Sequence, residues 1–164
     1  SASRGAGTPV LNERAAVLMM ACTHRHWRCA EVVLTAGVSD VSLDSTRDPP
    51  GRTALHLASS AGEAQTVRLL LKAGASPTIY SGYGRQPLHD ACVSGHVAVA
   101  RALVDRGADP TAKVSRGKPG IPWLAAEVGL TAVDIAQRRN AEELATYLRS
   151  CHRTRGIPGR SVLK

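Results

Sequence analysis

Four side chains that could bind a metal ion lie within eight residues, in the stretch Cys22-Thr-His24-Arg-His26-Trp-Arg-Cys29. Zinc sites usually take their ligands in closely spaced pairs such as C-x2-C or H-x3-H, so that four side chains converge tetrahedrally. This stretch has neither spacing. We therefore expect no metal site, and we interpret the four cysteines of the chain as reduced, small core residues: Cys22, Cys29, Cys92 and Cys151.

Two further motifs resemble parts of catalytic or phosphate-binding sites. His89-Asp90 could be half of a catalytic dyad, but no Ser or Cys nucleophile occurs in a strand–turn–helix context. Arg116-Gly117-Lys118-Pro119 lacks the leading Gly of a phosphate-binding loop and has Pro where Ser or Thr is required. We expect a protein that is not an enzyme and has neither a cofactor nor a small-molecule substrate.

The elements around these residues follow an internal repeat. The segment Thr53–Ala75 is similar to Gln86–Ala108, at an offset of 33 residues. Three residue pairs recur in phase, namely His56 and His89, Gly62 and Gly95, and Gly74 and Gly107. Apolar residues at helical spacing, with a glycine after each run, predict two short helices per unit. A fixed period of this size indicates stacked units that cannot bury their apolar faces alone.

Weaker copies flank these two units. Upstream, Ala16–Ala21 aligns with the first clear unit at an offset of 37. Downstream, Thr131–Ala136 aligns with the second at an offset of 45, which is one period plus 12 residues, and we place this surplus in an insertion at 113–129. The sequence predicts four repeats, at about 11–44, 45–80, 81–113 and 114–151, between a flexible tail at 1–10 and a basic flexible tail at 152–164.

The repeated motifs resemble those of the ankyrin repeat, a 33-residue unit with a Thr-Pro-Leu-His start and a Gly-Ala-Asp end. The start occurs as Thr53-Ala54-Leu55-His56 and Gln86-Pro87-Leu88-His89, and the end as Gly74-Ala75-Ser76 and Gly107-Ala108-Asp109. The resemblance implies an all-α solenoid of stacked helix–turn–helix units with short β-hairpin-like turns. Because His56 and His89 recur at the same phase, we interpret them as hydrogen-bonding elements of the repeat turns and not as catalytic bases.

The amino-acid composition is consistent with this fold and also bears on the cellular compartment in which the protein is expected. Aromatic residues make up only 3% of the chain and Phe is absent, so the core must consist of Leu, Val and Ala. No apolar run is long enough to span a membrane, and the first ten residues lack a signal-peptide core. We expect an intracellular protein, nuclear or cytoplasmic. The formal charge of +8 favours acidic partners.

Ankyrin domains bind protein partners along a concave groove made by hairpin tips and first helices. By this resemblance, the expected partner-binding residues are Arg52, Arg85, Tyr80, Tyr83, His24, Val93, Leu130, Arg138, Arg139 and, in the insertion, Trp123. Arg52 and Arg85 are equivalent positions, so stacking would place them side by side and exposed. Such a groove suits an acidic peptide with an apolar anchor.

Three alternatives stay open at this stage. The arginines could instead be ordinary solvated surface, and Trp123 could pack as a lid over the last repeat. The basic surface could also bind nucleic acid or chromatin, although the chain has no platform of interleaved aromatic residues for stacking bases. The leading hypothesis is a non-catalytic adaptor or scaffold that binds a protein or peptide.

Overall fold

The computed structural model describes residues 10–36, 43–115 and 126–155. Within these ranges the chain forms eight α-helices: α1 (Val10–Thr23), α2 (Trp27–Thr35), α3 (Ala54–Ala61), α4 (Ala64–Lys72), α5 (Pro87–Ser94), α6 (Val97–Asp105), α7 (Ala132–Arg138) and α8 (Glu142–Arg155). The same ranges contain no strand, and the one isolated β-bridge joins Lys113 and Thr131. No helix in this described part is both long and apolar enough to cross a bilayer.

The helices are arranged as four pairs in two layers. Each odd-numbered helix contacts the helix that follows it. The first helices α1, α3, α5 and α7 contact one another in order, and the second helices α2, α4, α6 and α8 do the same. This stack of helix pairs is the all-α solenoid that the 33-residue period predicted.

Small and aliphatic side chains recur in phase through the core. Fully buried alanines occupy one equivalent position of three first helices: Ala58, Ala91 and Ala136. Fully buried leucines do so in three second helices: Leu70, Leu103 and Leu148. Small side chains let neighbouring helices approach closely, so a chain without Phe still builds a close-packed core.

The recurring histidines connect each unit to the next. The Thr53 amide donates to Nδ1 of His56 at 3.2 Å, so the ring proton lies on Nε2 and is donated to the Arg85 carbonyl at 3.0 Å. His89 repeats the arrangement with the Gln86 amide at 3.0 Å and the Ala112 carbonyl at 2.9 Å. The prediction that both histidines act as hydrogen-bonding elements of the repeat turns is confirmed.

Asp134 takes the place of histidine in the last described pair. Its Oδ2 accepts from the Thr131 amide at 2.8 Å, which caps α7 as His56 and His89 cap their helices. The hydrogen bonds from Thr131 lower the pKa of this carboxyl. A carboxylate cannot donate onward, and the described part of the chain has no further unit whose carbonyl would need a donor.

The turns between units are short hairpins closed by equivalent hydrogen bonds. The Asp48 amide donates to the Arg52 carbonyl at 3.0 Å, and the Ser81 amide to the Arg85 carbonyl at 2.8 Å. In the third hairpin the Val114 amide donates to Leu130 at 2.8 Å, which closes a much longer loop. The predicted insertion therefore begins and ends at a hairpin base like those of the other units. Its residues 116–125 lie outside the described ranges.

The first pair differs from the others because no unit packs on its outer side in the described structure. Val17 and Met20 are 53% and 64% exposed, whereas their in-phase equivalents Ala54 and Leu57 are buried. Cys29 is exposed for the same reason, so the prediction that it is a core residue is wrong. Cys22 and Cys92 are buried as predicted, Cys151 is half-buried, and all four cysteines are free thiols.

Candidate partner-binding surface

Three predicted partner-binding residues, Leu130, Arg138 and Arg139, line one pocket. Together with Glu127 and Ile135 they enclose about 240 Å³, and we call this the insertion-base pocket. Leu130 is the last residue of the third hairpin, while both arginines are exposed at the end of α7. The pocket therefore has an apolar floor and a basic rim, on the surface that hairpins and first helices form together.

One of the rim arginines is fixed in place by the chain itself. Nη1 of Arg138 donates to the Ala126 carbonyl at 3.1 Å, at the end of the insertion. Arg139 forms no ion pair among the described residues, where the ion pairs involve Arg52 and Arg85. A charged group entering the pocket would meet one oriented and one adaptable guanidinium.

Arg52 is engaged within its own hairpin. Its Nε donates to Oδ2 of Asp48 at 2.7 Å, and its amide donates to Oδ1 at 2.6 Å. Asp48 is buried, whereas the Arg52 side chain remains about one third exposed at 32%. Arg52 thus stabilises the turn and presents only part of its guanidinium to a partner.

The prediction that Arg85 is exposed beside Arg52 is wrong. Arg85 is only 7% exposed, because its guanidinium points inward to Glu127 and Asp90. Nε of Arg85 donates to Oε2 of Glu127 at 2.8 Å, and Nη1 lies 3.7 Å from Oδ1 of Asp90. Glu127 lies in the insertion, outside the repeat register, so the offset of 33 residues gave no sign of this ion pair.

Asp90 is the most unusual titratable group near this surface. Burial raises the pKa of its carboxyl to about 7, against the lowering effect of the Arg85 and Arg52 charges. Its Oδ2 is buried without a hydrogen-bond partner among the described residues. Arg85 therefore stabilises the Glu127 carboxylate well and the Asp90 carboxylate poorly.

Replacing Asp90 with asparagine is expected to raise the free energy of unfolding by at least about 2 kcal/mol at about pH 8 and to change it little at about pH 4, where the wild-type carboxyl is protonated in the folded state and partly protonated in the unfolded chain. The pKa of this carboxyl is about 7 in the folded state, against 3.8 for an unperturbed aspartate, so the wild type loses stability as the pH rises through this interval. Arg85 keeps Glu127 as its partner in the variant. Urea denaturation at both pH values measures the effect, with Asp105→Asn as an exposed control. A variant less stable than wild type at the higher pH would contradict this account.

The comparison with known protein families identifies the fold. A model of ankyrin repeats in three copies matches residues 18–114, more than half of the chain. The chain belongs to the ankyrin-repeat family. No curated protein gives a significant match. The family and the all-α fold predicted from the Thr53–His56 and Gln86–His89 motifs are thereby confirmed, while the boundaries of four repeats stay predictions because α7 and α8 lie beyond the match.

The two tyrosines of the predicted site lie beside the second ankyrin hairpin. Tyr80 is 40% exposed, and its hydroxyl donates to the Lys113 carbonyl at 3.3 Å, one period further along. Nη1 of Arg47 donates in the same way to the Tyr80 carbonyl at 2.9 Å. Tyr83 is half-buried. Tyr80 therefore helps to hold neighbouring hairpins in register and still exposes part of its ring.

Two of the remaining predicted residues, His24 and Val93, do not line the pocket. His24 is exposed after α1, and Val93 is half-buried near the end of α5. Trp123 lies outside the described residues. Their role in partner binding stays a prediction.

The Cys22–Cys29 stretch does not assemble a metal site in the described structure. Cys22 is buried, which raises the pKa of its thiol to about 12, whereas His24, His26 and Cys29 are exposed. No three His, Cys, Asp or Glu side chains among the described residues are placed to hold one ion. The His24 and His26 rings stack with their centroids 6.4 Å apart.

Proposed function

We propose that this ankyrin domain is a non-catalytic adaptor or scaffold that binds a partner protein at the insertion-base pocket. Ankyrin repeats are general protein–protein interaction modules. The observation that supports this location is the pocket itself, where Leu130, Arg138 and Arg139 meet at the base of the only long hairpin in the described structure. Long loops on a repeat scaffold are frequent sites of partner recognition.

The chemistry of the pocket favours an acidic peptide with an apolar anchor. Leu130, which is half-buried, offers apolar contact, and Arg138 and Arg139 offer charge-assisted hydrogen bonds to a carboxylate. The pocket, at about 240 Å³, is smaller than the range of roughly 300–1,000 Å³ typical of small-molecule sites. One side chain of a protein partner fits this volume better than a drug-sized substrate does.

Glu127 does not oppose an acidic partner, although it lines the same pocket. Its carboxylate is paired with Arg85, so its charge is largely balanced from the inner side. The outer rim keeps the positive charge of Arg138 and Arg139. A partner that extends further along the first helices would contact the exposed parts of Arg52 and Tyr80, and Tyr83, Val93 and His24 mark the rest of that path. We further propose an intracellular site of action, nuclear or cytoplasmic.

Arg139→Glu is expected to weaken peptide binding at least tenfold, about 1.4 kcal/mol. The probes are peptides selected from a random display library on the wild-type domain, and titration by fluorescence anisotropy gives their dissociation constants. We expect the selected peptides to combine Asp or Glu with an aliphatic residue. Arg149→Glu makes the same charge change at an exposed position of α8 outside the pocket, and serves as the control.

Two results would overturn this proposal. One is a selection that yields peptides whose affinities are equal for wild type, Arg139→Glu and Arg149→Glu. The other is equal weakening by both variants, which would show a general effect of net charge and not a site. Tight binding of duplex DNA at physiological salt, without any selected peptide, would favour the nucleic-acid alternative.

A further inference from the structure

The second helices form a groove on the opposite side of the stack from the insertion-base pocket. It runs between α4 and α6 and encloses about 490 Å³. We call it the α4–α6 groove; the residues used below are Arg68, Leu69, Lys72, Arg101, Ala102 and Arg106. The helices on either side of it, α4 and α6, contact each other directly.

The groove combines an apolar floor with a basic rim. Leu69 and Ala102 are equivalent positions one period apart, and both are half-buried on the floor. Arg68 and Arg101 are likewise equivalent, and both are exposed on the rim. Lys72 and Arg106 add two more exposed cations, and among the described residues Asp105 is the one carboxylate that lines the groove.

No ion pair among the described residues involves these cations. Asp105 lines the groove beside them. Arg101 also lines a neighbouring pocket with Glu142 and Glu143, so the charge of the cations is balanced only in part. Arg68 has a hydrogen bond of 3.3 Å to the neutral Gln65 side chain. The guanidinium of Arg101 lies 4.9 Å from the centre of the Tyr147 ring, a cation–π contact that keeps its charge.

Adjacent like charges do not help the stack to fold. Because α4 and α6 pack side by side, Arg68 and Arg101 repel each other across the groove, and no carboxylate forms an ion pair with either of them in the described structure. An occupant that brings carboxylates would relieve this repulsion and bury the exposed part of the floor. The sequence predicts an exposed arginine pair at the equivalent positions Arg52 and Arg85. Such a pair is instead formed by Arg68 and Arg101, on the second helices.

We propose that the α4–α6 groove is a second docking surface, which binds an acidic peptide segment carrying apolar side chains. Arginine forks pair with carboxylates in a bidentate manner, and Leu69 and Ala102 accept the apolar side chains. The apolar floor disfavours a polyphosphate backbone, which carries no apolar side chain to cover Leu69 and Ala102. A single-stranded nucleic acid would also need an aromatic face for stacking, and the Tyr147 ring beside the groove is covered by Arg101. This surface is separate from the insertion-base pocket, so one domain could hold two partners at once.

The test is a peptide-display selection on the wild-type domain, followed by titration of each selected peptide against four proteins. The proteins are wild type, Arg68→Glu/Arg106→Glu, Arg139→Glu, and the control Arg28→Glu/Arg149→Glu, which changes the same number of exposed charges on α2 and α8. We expect one class of acidic, aliphatic peptides to lose at least tenfold in affinity on Arg68→Glu/Arg106→Glu alone. Retained affinity on Arg139→Glu would separate this class from ligands of the insertion-base pocket. Circular dichroism of each variant confirms that it is folded.

The competing outcomes are distinct. If every selected peptide binds Arg68→Glu/Arg106→Glu as well as wild type, the groove is not a docking surface, whatever Arg139→Glu does. If the control weakens the same peptides equally, only net charge is involved and the proposal is overturned. If short duplex DNA binds at physiological salt and loses affinity on Arg68→Glu/Arg106→Glu alone, the groove is a nucleic-acid site and the peptide proposal is wrong.

Discussion

Replacing His89 with alanine is expected to lower the free energy of unfolding by about 3 kcal/mol. The ring is fully buried and is the partner of the Gln86 amide in its own unit and of the Ala112 carbonyl in the following turn. Alanine removes both hydrogen bonds and leaves a cavity between α5 and the third hairpin. The same reasoning applies to His56, so each of the two histidines joins one repeat unit to the next by hydrogen bonds.

The pH dependence of the free energy of unfolding is a second test of the two buried histidines. Burial lowers the pKa of His56 to about 4 and also lowers that of His89. A depressed histidine pKa means that the unfolded chain binds protons first, so stability is complete above about pH 6.5 and is lost as the pH falls towards about 4. The His89→Ala variant should lose less stability than wild type over this interval, since one of the two groups is gone.

Urea denaturation followed by circular dichroism measures both effects. His24→Ala is the matched control, because His24 is exposed and makes no contact between units, and we expect a change within about 0.5 kcal/mol. A His89→Ala variant as stable as this control would show that the ring is not needed to join the units.

Replacing Gly84 with alanine is expected to cost about 3 kcal/mol as well, for a steric reason. Gly84 has a φ of +70°, and a Cβ built there would lie 2.1 Å from the Ser115 carbonyl oxygen. The Ser115 amide also donates to the Gly84 carbonyl at 2.8 Å, which joins the second hairpin to the base of the insertion. Because the clash is with backbone, the two hairpins must separate.

Gly95→Ala separates the steric cost from the cost of the backbone conformation. Gly95 has a similar φ of +75°, but a Cβ there has nothing within 4 Å. Its replacement should therefore cost only the left-handed strain, about 1 kcal/mol. Equal losses of stability in Gly84→Ala and Gly95→Ala, measured by urea denaturation, would show that the hairpin contact contributes nothing.

Much of the scaffold follows from local sequence signals. The in-phase glycines mark the left-handed ends of α3 and α5 at Gly62 and Gly95, with φ of +83° and +75°. His56 and His89 were assigned to hydrogen bonding from their phase alone. Each of these features depends on contacts within one unit or between one unit and the next. Both kinds of contact recur with the 33-residue period.

The wrong predictions concern residues whose surroundings do not follow the 33-residue repeat. Arg85 was expected in the groove because Arg52 is its equivalent, but only Arg85 faces Glu127, which the insertion supplies. Cys29 was expected in the core, as Val99 is, but no unit packs outside α2 in the described structure. The resemblance does not predict the α4–α6 groove, because it places partner contacts on hairpin tips and first helices.

The most direct test of the central proposal is to locate a selected peptide on the domain by amide chemical-shift mapping. Peptides selected on the wild-type protein would be titrated into the isotope-labelled domain. We predict that acidic, aliphatic peptides sensitive to Arg139→Glu shift the amides of residues 126–139 most strongly, around Leu130 and Arg139. If no selected peptide shifts these amides, while the domain remains folded, the insertion-base pocket is not the partner-binding site.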